Sequence, residues 1–95
     1  MTRVESRLEQ FCCAVMGAQA VKQVVQENAS WCWVRLQPTN MIDLCLLVAK
    51  LGHRRTKFET VPVLYANGDL DHIQLHVFLL ESPELSAWLE ADHEA

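Results

Sequence analysis

Glycine and proline are scarce in this 95-residue chain, with three of each, and only 21 % of its residues are charged. Linkers and low-complexity segments need many more of these residues. Because 51 % of the residues are hydrophobic, the composition also lies outside the range of disordered proteins. A chain of this length accommodates one core, so residues 1–95 are predicted to form a single domain.

Long apolar runs and an excess of basic charge are missing too. The N-terminal segment carries Glu5 and Glu9 where a signal peptide has a basic lead, and no stretch approaches the roughly 20 apolar residues of a membrane span. The net charge is −4, whereas broad nucleic-acid binding needs surplus Lys and Arg. We therefore expect a cytoplasmic protein that binds no nucleic acid and does not insert into membranes.

The residue spacings that are typical of metal sites and of catalytic sites are absent as well. The chain has four cysteines: Cys12, Cys13, Cys32 and Cys45. They form no C-x-x-C pair and lie in apolar stretches, so we expect reduced thiols buried in the core. His72 and His76 lie roughly 13 Å apart if they share a strand, too far for one metal ion. Cys–His catalysis needs Cys32 or Cys45 beside His53 or His76, which no motif indicates. No catalytic residue, metal or cofactor is predicted.

The first part of the chain divides into a helix and strands. Arg3–Met16 has apolar residues at helical spacing, and Gly17 ends the helix. Residues 20–26 fit either a helix or a strand, and their β-branched residues and following turn favour the strand. Trp31–Gln37 alternates with a period of two, typical of a strand. One face of that strand carries Cys32, Val34 and Leu36, and the other carries Trp31, Trp33 and Arg35.

The central helix is predicted over about residues 40–51. Thr39 or Asn40 is suited to cap its first turn, and Gly52 follows its end. Helical spacing predicts a core stripe of five residues: Met41, Leu44, Cys45, Val48 and Leu51.

The second half is predicted to be a β-hairpin followed by a short helix. Residues 55–66 form an edge or bulged strand because Pro62 donates no hydrogen bond. Asn67-Gly68-Asp69 supplies the turn. The next strand points Ile73, Leu75, Val77 and Leu79 inward and Phe78 and Leu80 outward. Ser82 caps a helix that begins at Pro83. The order α–(β)–β–α–β–β–α predicts an α+β fold with helices packed on a small, mostly antiparallel sheet.

Outward aromatics and a basic cluster are the candidates for partner binding. The residues concerned are Trp31, Trp33, Lys50, His53, Arg54, Arg55, Lys57 and Phe78. An apolar centre beside a charged rim is how protein interfaces are commonly built. Under this interpretation Arg54 and Arg55 are exposed, and their replacement leaves stability nearly unchanged. The alternatives are a solvated loop that completes the helix dipole, and helices that cover both sheet faces or a first helix that covers the tryptophans.

Three segments within residues 46–89 carry a family resemblance. Gly52-His53-Arg54 follows a helix, Phe58-Glu59-Thr60-Val61 begins the next strand, and Leu75-His76-Val77-Phe78 lies in the last strand. This succession resembles the small cofactor-free subunit of energy-converting nickel–iron hydrogenases and of respiratory complex I. There a Gly-aromatic-Arg step ends the helix, and a tyrosine stands where this chain has Leu75. The resemblance implies an accessory subunit that packs against cluster-bearing subunits of an electron-transfer assembly.

The sequence thus predicts a non-catalytic protein-interaction domain or accessory subunit. A homodimeric chaperone or adaptor is an alternative that the acidic α+β composition also fits. A small enzyme whose site forms only on oligomerisation is the second alternative. The predicted partner is another protein subunit or a second copy of the chain.

Overall fold

The computed structural model describes residues 1–91. In chain order the elements are α1 (Arg3–Met16), β1 (Val21–Gln26), β2 (Trp31–Leu36), α2 (Met41–His53), β3 (Phe58–Leu64), β4 (Leu70–Phe78), a 3-10 turn (Leu79–Glu81) and α3 (Pro83–Glu90). This order confirms the expected α+β fold, and it resolves the ambiguous segment after α1 as a strand. No helix within the described residues is long and apolar enough to cross a membrane.

The four strands form one antiparallel sheet in the order β1-β2-β4-β3. The predicted hairpin turn between β3 and β4 is confirmed, with Gly68 at φ 92°, where a side chain would be strained. β3 is shorter than the predicted strand, and Pro62 lies within it at the edge of the sheet, where no hydrogen-bonding neighbour is lost. β1 forms the opposite edge.

The core lies between the helices and one face of the sheet. β2 and β4 contribute Cys32, Val34, Leu75 and Val77 to it, each fully shielded from solvent. These residues alternate along their strands, so all of them project from the same face, which is called the core face below. The buried side chains of the three helices belong to the same cluster.

α1 is fixed at its N-terminus by a capping box. The Thr2 hydroxyl accepts a hydrogen bond from the Glu5 amide, and the Glu5 carboxylate accepts one from the Thr2 amide. The same carboxylate accepts a hydrogen bond of 2.8 Å from the amide of Gln26, at the end of β1. The amides of Gln26 and Thr2 lower the pKa of Glu5. This side chain therefore joins the first helical turn to the edge of the sheet.

α2 packs with a different side from the one predicted. The core stripe of the sequence analysis was wrong for Met41, Cys45 and Val48, which are exposed, whereas Leu47 and Leu51 are fully buried. Leu44 is partly buried against the core. Almost every position of this helix is apolar, so residues spaced 3 and 4 apart define more than one plausible stripe. Contacts with the other elements decide which stripe is buried.

Ser82 occupies the N-cap position of α3, which begins at Pro83 as predicted, but its side chain makes no capping hydrogen bond, contrary to expectation. It is fully buried, and its hydroxyl accepts a 2.7 Å hydrogen bond from the Lys57 amide and donates one of 2.7 Å to the Phe78 carbonyl. Ser82 therefore connects the beginning of β3 to the end of β4. A buried hydroxyl needs such partners, and here the main chain supplies them at Lys57, just before β3, and at Phe78, the last residue of β4.

Candidate functional site

The second face of the sheet is covered by none of the described helices. Cross-strand pairs on this open face are Trp31 with Phe78, Trp33 with His76, and Arg35 with Gln74. All six side chains are partly exposed, and none belongs to the core cluster. The prediction that both tryptophans point away from the core is confirmed. The alternative, in which helices cover both faces, does not hold for residues 1–91.

Neighbouring side chains hold the aromatic rings of the open face in place. Trp31 contacts His76 edge to face, with ring centroids 5.4 Å apart. The Trp33 indole Nε1 donates a hydrogen bond of 2.6 Å to Glu27. His76 in turn lies 3.1 Å from the Gln74 amide oxygen and 3.4 Å from the Glu59 carboxylate. Aromatic rings restrained in this way lose little conformational entropy when a partner covers them.

An apolar cavity adjoins these rings at the end of the sheet. It has a volume of about 380 Å³ and is lined by Ser30, Trp31, Phe78, Leu80 and Glu81. Leu80 is 75 % exposed and stands at its rim, as the sequence predicted for an outward residue. Lys57 precedes the Phe58–Val77 pair by one residue, so the register places it opposite Phe78 on the open face. The open face thus has an apolar end with charges beside it.

Two nitrogens on the same face have no hydrogen-bond partner although they are shielded from solvent. They are Nε of Arg35 and Nε2 of His72. His72 follows the alternation of β4 and projects to the side of Gln74 and His76. His72 Nδ1 lies 3.3 Å from the Asp71 carboxylate, which only accepts, so in the neutral ring Nδ1 is the donor and Nε2 the acceptor. The Nε of Arg35 is a shielded donor without a partner, which carries a free-energy cost of about 1–3 kcal/mol.

The basic cluster lies mainly elsewhere. Lys50, His53 and Arg54 lie at the end of α2, on the core side of the sheet, and line a cavity of about 320 Å³ with Phe11. Arg55 follows in the loop, exposed and at φ 54°. The structure therefore separates these residues from the tryptophans, and of the cluster only Lys57 joins the open face.

Arg54 is not the free surface charge that the sequence suggested. Its guanidinium carbon lies 5.7 Å from the ring centroid of Phe11 and 4.8 Å from that of Trp88. The two rings contact each other edge to face at 5.6 Å. The half-buried arginine therefore joins the end of α2 to α1 and α3. The sequence offered no signal for this, because the three residues are far apart along the chain.

Cysteine reactivity in the structure differs among the four thiols. Burial raises the pKa of both Cys12 and Cys32 to about 12, which keeps these thiols protonated and unreactive. Cys45 is exposed on α2, which corrects the expectation of a core position. Cys32 projects from the core face and His76 from the open face, so these two do not meet.

Within residues 1–91, no three His, Cys, Asp or Glu side chains converge as metal ligands do. The four cysteines are all unpaired. Comparison with family models, with curated proteins and with solved structures finds no match. The open face is therefore the candidate functional site on the strength of its own geometry.

Proposed function

We propose that this chain is a non-catalytic docking domain that binds another protein through the open face of its sheet. The observation that carries the proposal is the uncovered face itself, with Trp31, Trp33 and Phe78 partly exposed side by side. A sheet face that only meets solvent is usually polar. Tryptophan is enriched among the residues that dominate binding energy because one ring buries about 150–250 Å².

The polar groups around the rings support the same function. Lys57, Glu59 and Glu81 border the aromatic centre and supply charges that orient a partner. The domain needs no cofactor for this role. Four free thiols fit a reducing compartment, so the proposed place of action is the cytoplasm.

The resemblance to the cofactor-free hydrogenase and complex I subunit stays a prediction about the class of partner. The matching segments Phe58–Val61 and Leu75–Phe78 lie on β3 and β4, which pair with each other. Under this hypothesis the open face meets a cluster-bearing subunit. A homodimeric adaptor or chaperone is the second candidate, favoured by the exposed apolar side of α2.

The test is recovery of the partner from a lysate of the native host. Tagged wild-type chain is compared with Trp31→Ala and with Tyr65→Ala, a matched control in which an aromatic side chain, 56 % exposed, is lost from the hairpin tip. We expect Trp31→Ala to reduce recovery about 30-fold or more, because truncation of a central aromatic anchor typically costs about 2 kcal/mol or more. Tyr65→Ala should recover as much partner as the wild type.

Identification of the co-purifying chains then separates the candidates. Cluster-bearing oxidoreductase subunits would support the resemblance, and other proteins would support an adaptor role. Circular dichroism confirms that each variant is folded. Equal recovery by wild type and folded Trp31→Ala would refute docking through the open face.

A further inference from the structure

One side of α2 presents apolar and small residues to solvent instead of charges. Its exposed members are Met41, Ile42, Cys45, Leu46, Ala49, Gly52 and His53, which we call the outward face of α2. Met41 is 67 % exposed, Ile42 72 % and Leu46 48 %. The opposite side of the helix already packs in the core through Leu47 and Leu51. A helix that is apolar all round is normally covered on all sides, so the outward face needs an occupant.

We propose that the occupant is a second copy of this chain, whose α2 packs antiparallel against the first. The distribution of side-chain sizes along the helix supports self-pairing. Met41 and Ile42 are large and lie in the first turn, whereas Ala49 and Gly52 are small and lie in the last part, with His53 at the very end. A Cβ atom added at Gly52 would meet no atom within 4 Å, so this end is open. Antiparallel pairing places the large end of one copy against the small end of the other.

Charge supports the same arrangement. In a two-fold contact each residue at the centre meets its own copy, so a charge there would face an equal charge. The middle of the outward face consists of Cys45 and Leu46, and both are neutral. Asp43 and Lys50 are rotated by about 100° from their neighbours Ile42 and Ala49 and therefore lie on the flanks of the helix. The antiparallel arrangement also sets the two helix dipoles in opposition, which is favourable.

The available area determines how tight the contact is. α2 has 13 residues, so it is about 20 Å long, and one side of such a cylinder offers roughly 400 Å². Two copies would bury about 800 Å² in total, below the 1,200–2,000 Å² typical of stable complexes. We therefore expect a reversible dimer with a dissociation constant in the micromolar range.

Molar mass as a function of concentration tests the proposal. Sedimentation equilibrium from about 1 µM to about 500 µM brackets a micromolar dissociation constant. The wild type should shift from 10.8 kDa towards twice that mass. Ala49→Glu places a charge inside the contact and should weaken association by about 100-fold or more. Ala87→Glu, an exposed alanine on α3, is the matched control and should associate as the wild type does.

Cross-linking at Cys45 tests the geometry without altering the helix. Cys12 and Cys32 are buried and Cys13 is partly exposed, so a Cys13→Ser chain leaves Cys45 as the accessible thiol. A short bismaleimide should join two copies of this variant through Cys45, and Ala49→Glu in the same background should abolish the product. A wild-type chain that stays at 10.8 kDa at all concentrations, or a dimer in which Cys45 does not cross-link, would overturn the proposal. The proposal would also be overturned if Cys45 were protected from the bismaleimide only when a different protein was added.

Discussion

Replacement of Arg54 by alanine should destabilise the fold. The guanidinium lies over two rings, 5.7 Å from the centroid of Phe11 and 4.8 Å from that of Trp88. Phe11 belongs to α1 and Trp88 to α3, so the arginine at the end of α2 contacts both other helices. Removal of its side chain therefore weakens the contact among all three helices at once.

The structure sets the size of this effect. A cation over an aromatic ring contributes about 0.5–1 kcal/mol at exposed sites and about 2 kcal/mol when desolvated. Arg54 is half-buried and contacts two rings, so we expect Arg54→Ala to lower the free energy of unfolding by about 1–2 kcal/mol. For a domain of this size, each 1 kcal/mol lowers Tm by roughly 4–8 °C, which gives a decrease of roughly 4–16 °C. Arg54→Lys keeps the charge but loses the planar stacking, so its Tm should lie between those of the wild type and Arg54→Ala.

Thermal unfolding followed by far-ultraviolet circular dichroism measures the decrease. Arg55→Ala is the matched control, because Arg55 is exposed and adjacent, and should change stability by no more than about 0.5 kcal/mol. The reasoning is refuted if Arg54→Ala melts with the wild type, or if both alanine variants lose the same stability. Either result would mean that the rings are held by their own packing and gain nothing from the cation.

Three further predictions concern stability. In urea unfolding, Leu47→Ala should lower the free energy of unfolding by about 2.7–5 kcal/mol, because Leu47 is fully buried. Ile42→Ala should change it by no more than about 0.5 kcal/mol, because Ile42 is exposed. Equal losses in the two variants would contradict the orientation of α2. The pKa of Glu5 is lowered because the Gln26 amide donates a hydrogen bond to its carboxylate. The ionised side chain therefore stabilises the folded state fully above its unfolded pKa of 4.5, and this stabilisation is lost as the pH falls through the lower pKa of the folded state. The Tm difference between wild type and Glu5→Gln should therefore narrow in acid, and a pH-independent difference would contradict this. Arg55→Gly removes the strain of φ 54° and should raise stability by up to about 1 kcal/mol in urea unfolding, whereas a loss would show that other contacts of this side chain matter more.

The sequence predicted those elements whose determinants are local. α1 ends at Gly17, where φ is 87°, and β2 alternates buried and half-buried residues as its period of two requires. The Asn67-Gly68 turn is likewise specified by the residues that form it. The orientation of the tryptophans followed from the same alternation. Local patterns thus sufficed for the order of elements and for the direction of the tryptophans, but they left open whether a helix covers that face of the sheet.

What the sequence left undetermined depends on contacts between distant elements. In α2, Met41 and Leu47 are both apolar, and only the position of the other elements decides which is buried. Local patterns place Arg54 in a surface patch. Its actual position over Phe11 and Trp88 arises from the packing of three helices, which the local sequence does not reveal. Ser82 has a sequence context typical of a helix cap, but burial beside two strands gives it other partners. Tertiary contacts overrode the local preference in each case.

The two proposed surfaces lie on opposite sides of the molecule, which allows both to be occupied at once. The open face is one side of the sheet, and the outward face of α2 points away from the core on the other side. A dimer would therefore present two open faces, and a partner immobilised at high density would bind both with increased avidity. We predict that Ala49→Glu weakens binding to a densely coated surface by about 10-fold or more but leaves binding to soluble partner unchanged. Surface plasmon resonance at two coating densities, with Ala87→Glu as control, measures the difference. Equal loss at both densities would mean that α2 itself contacts the partner.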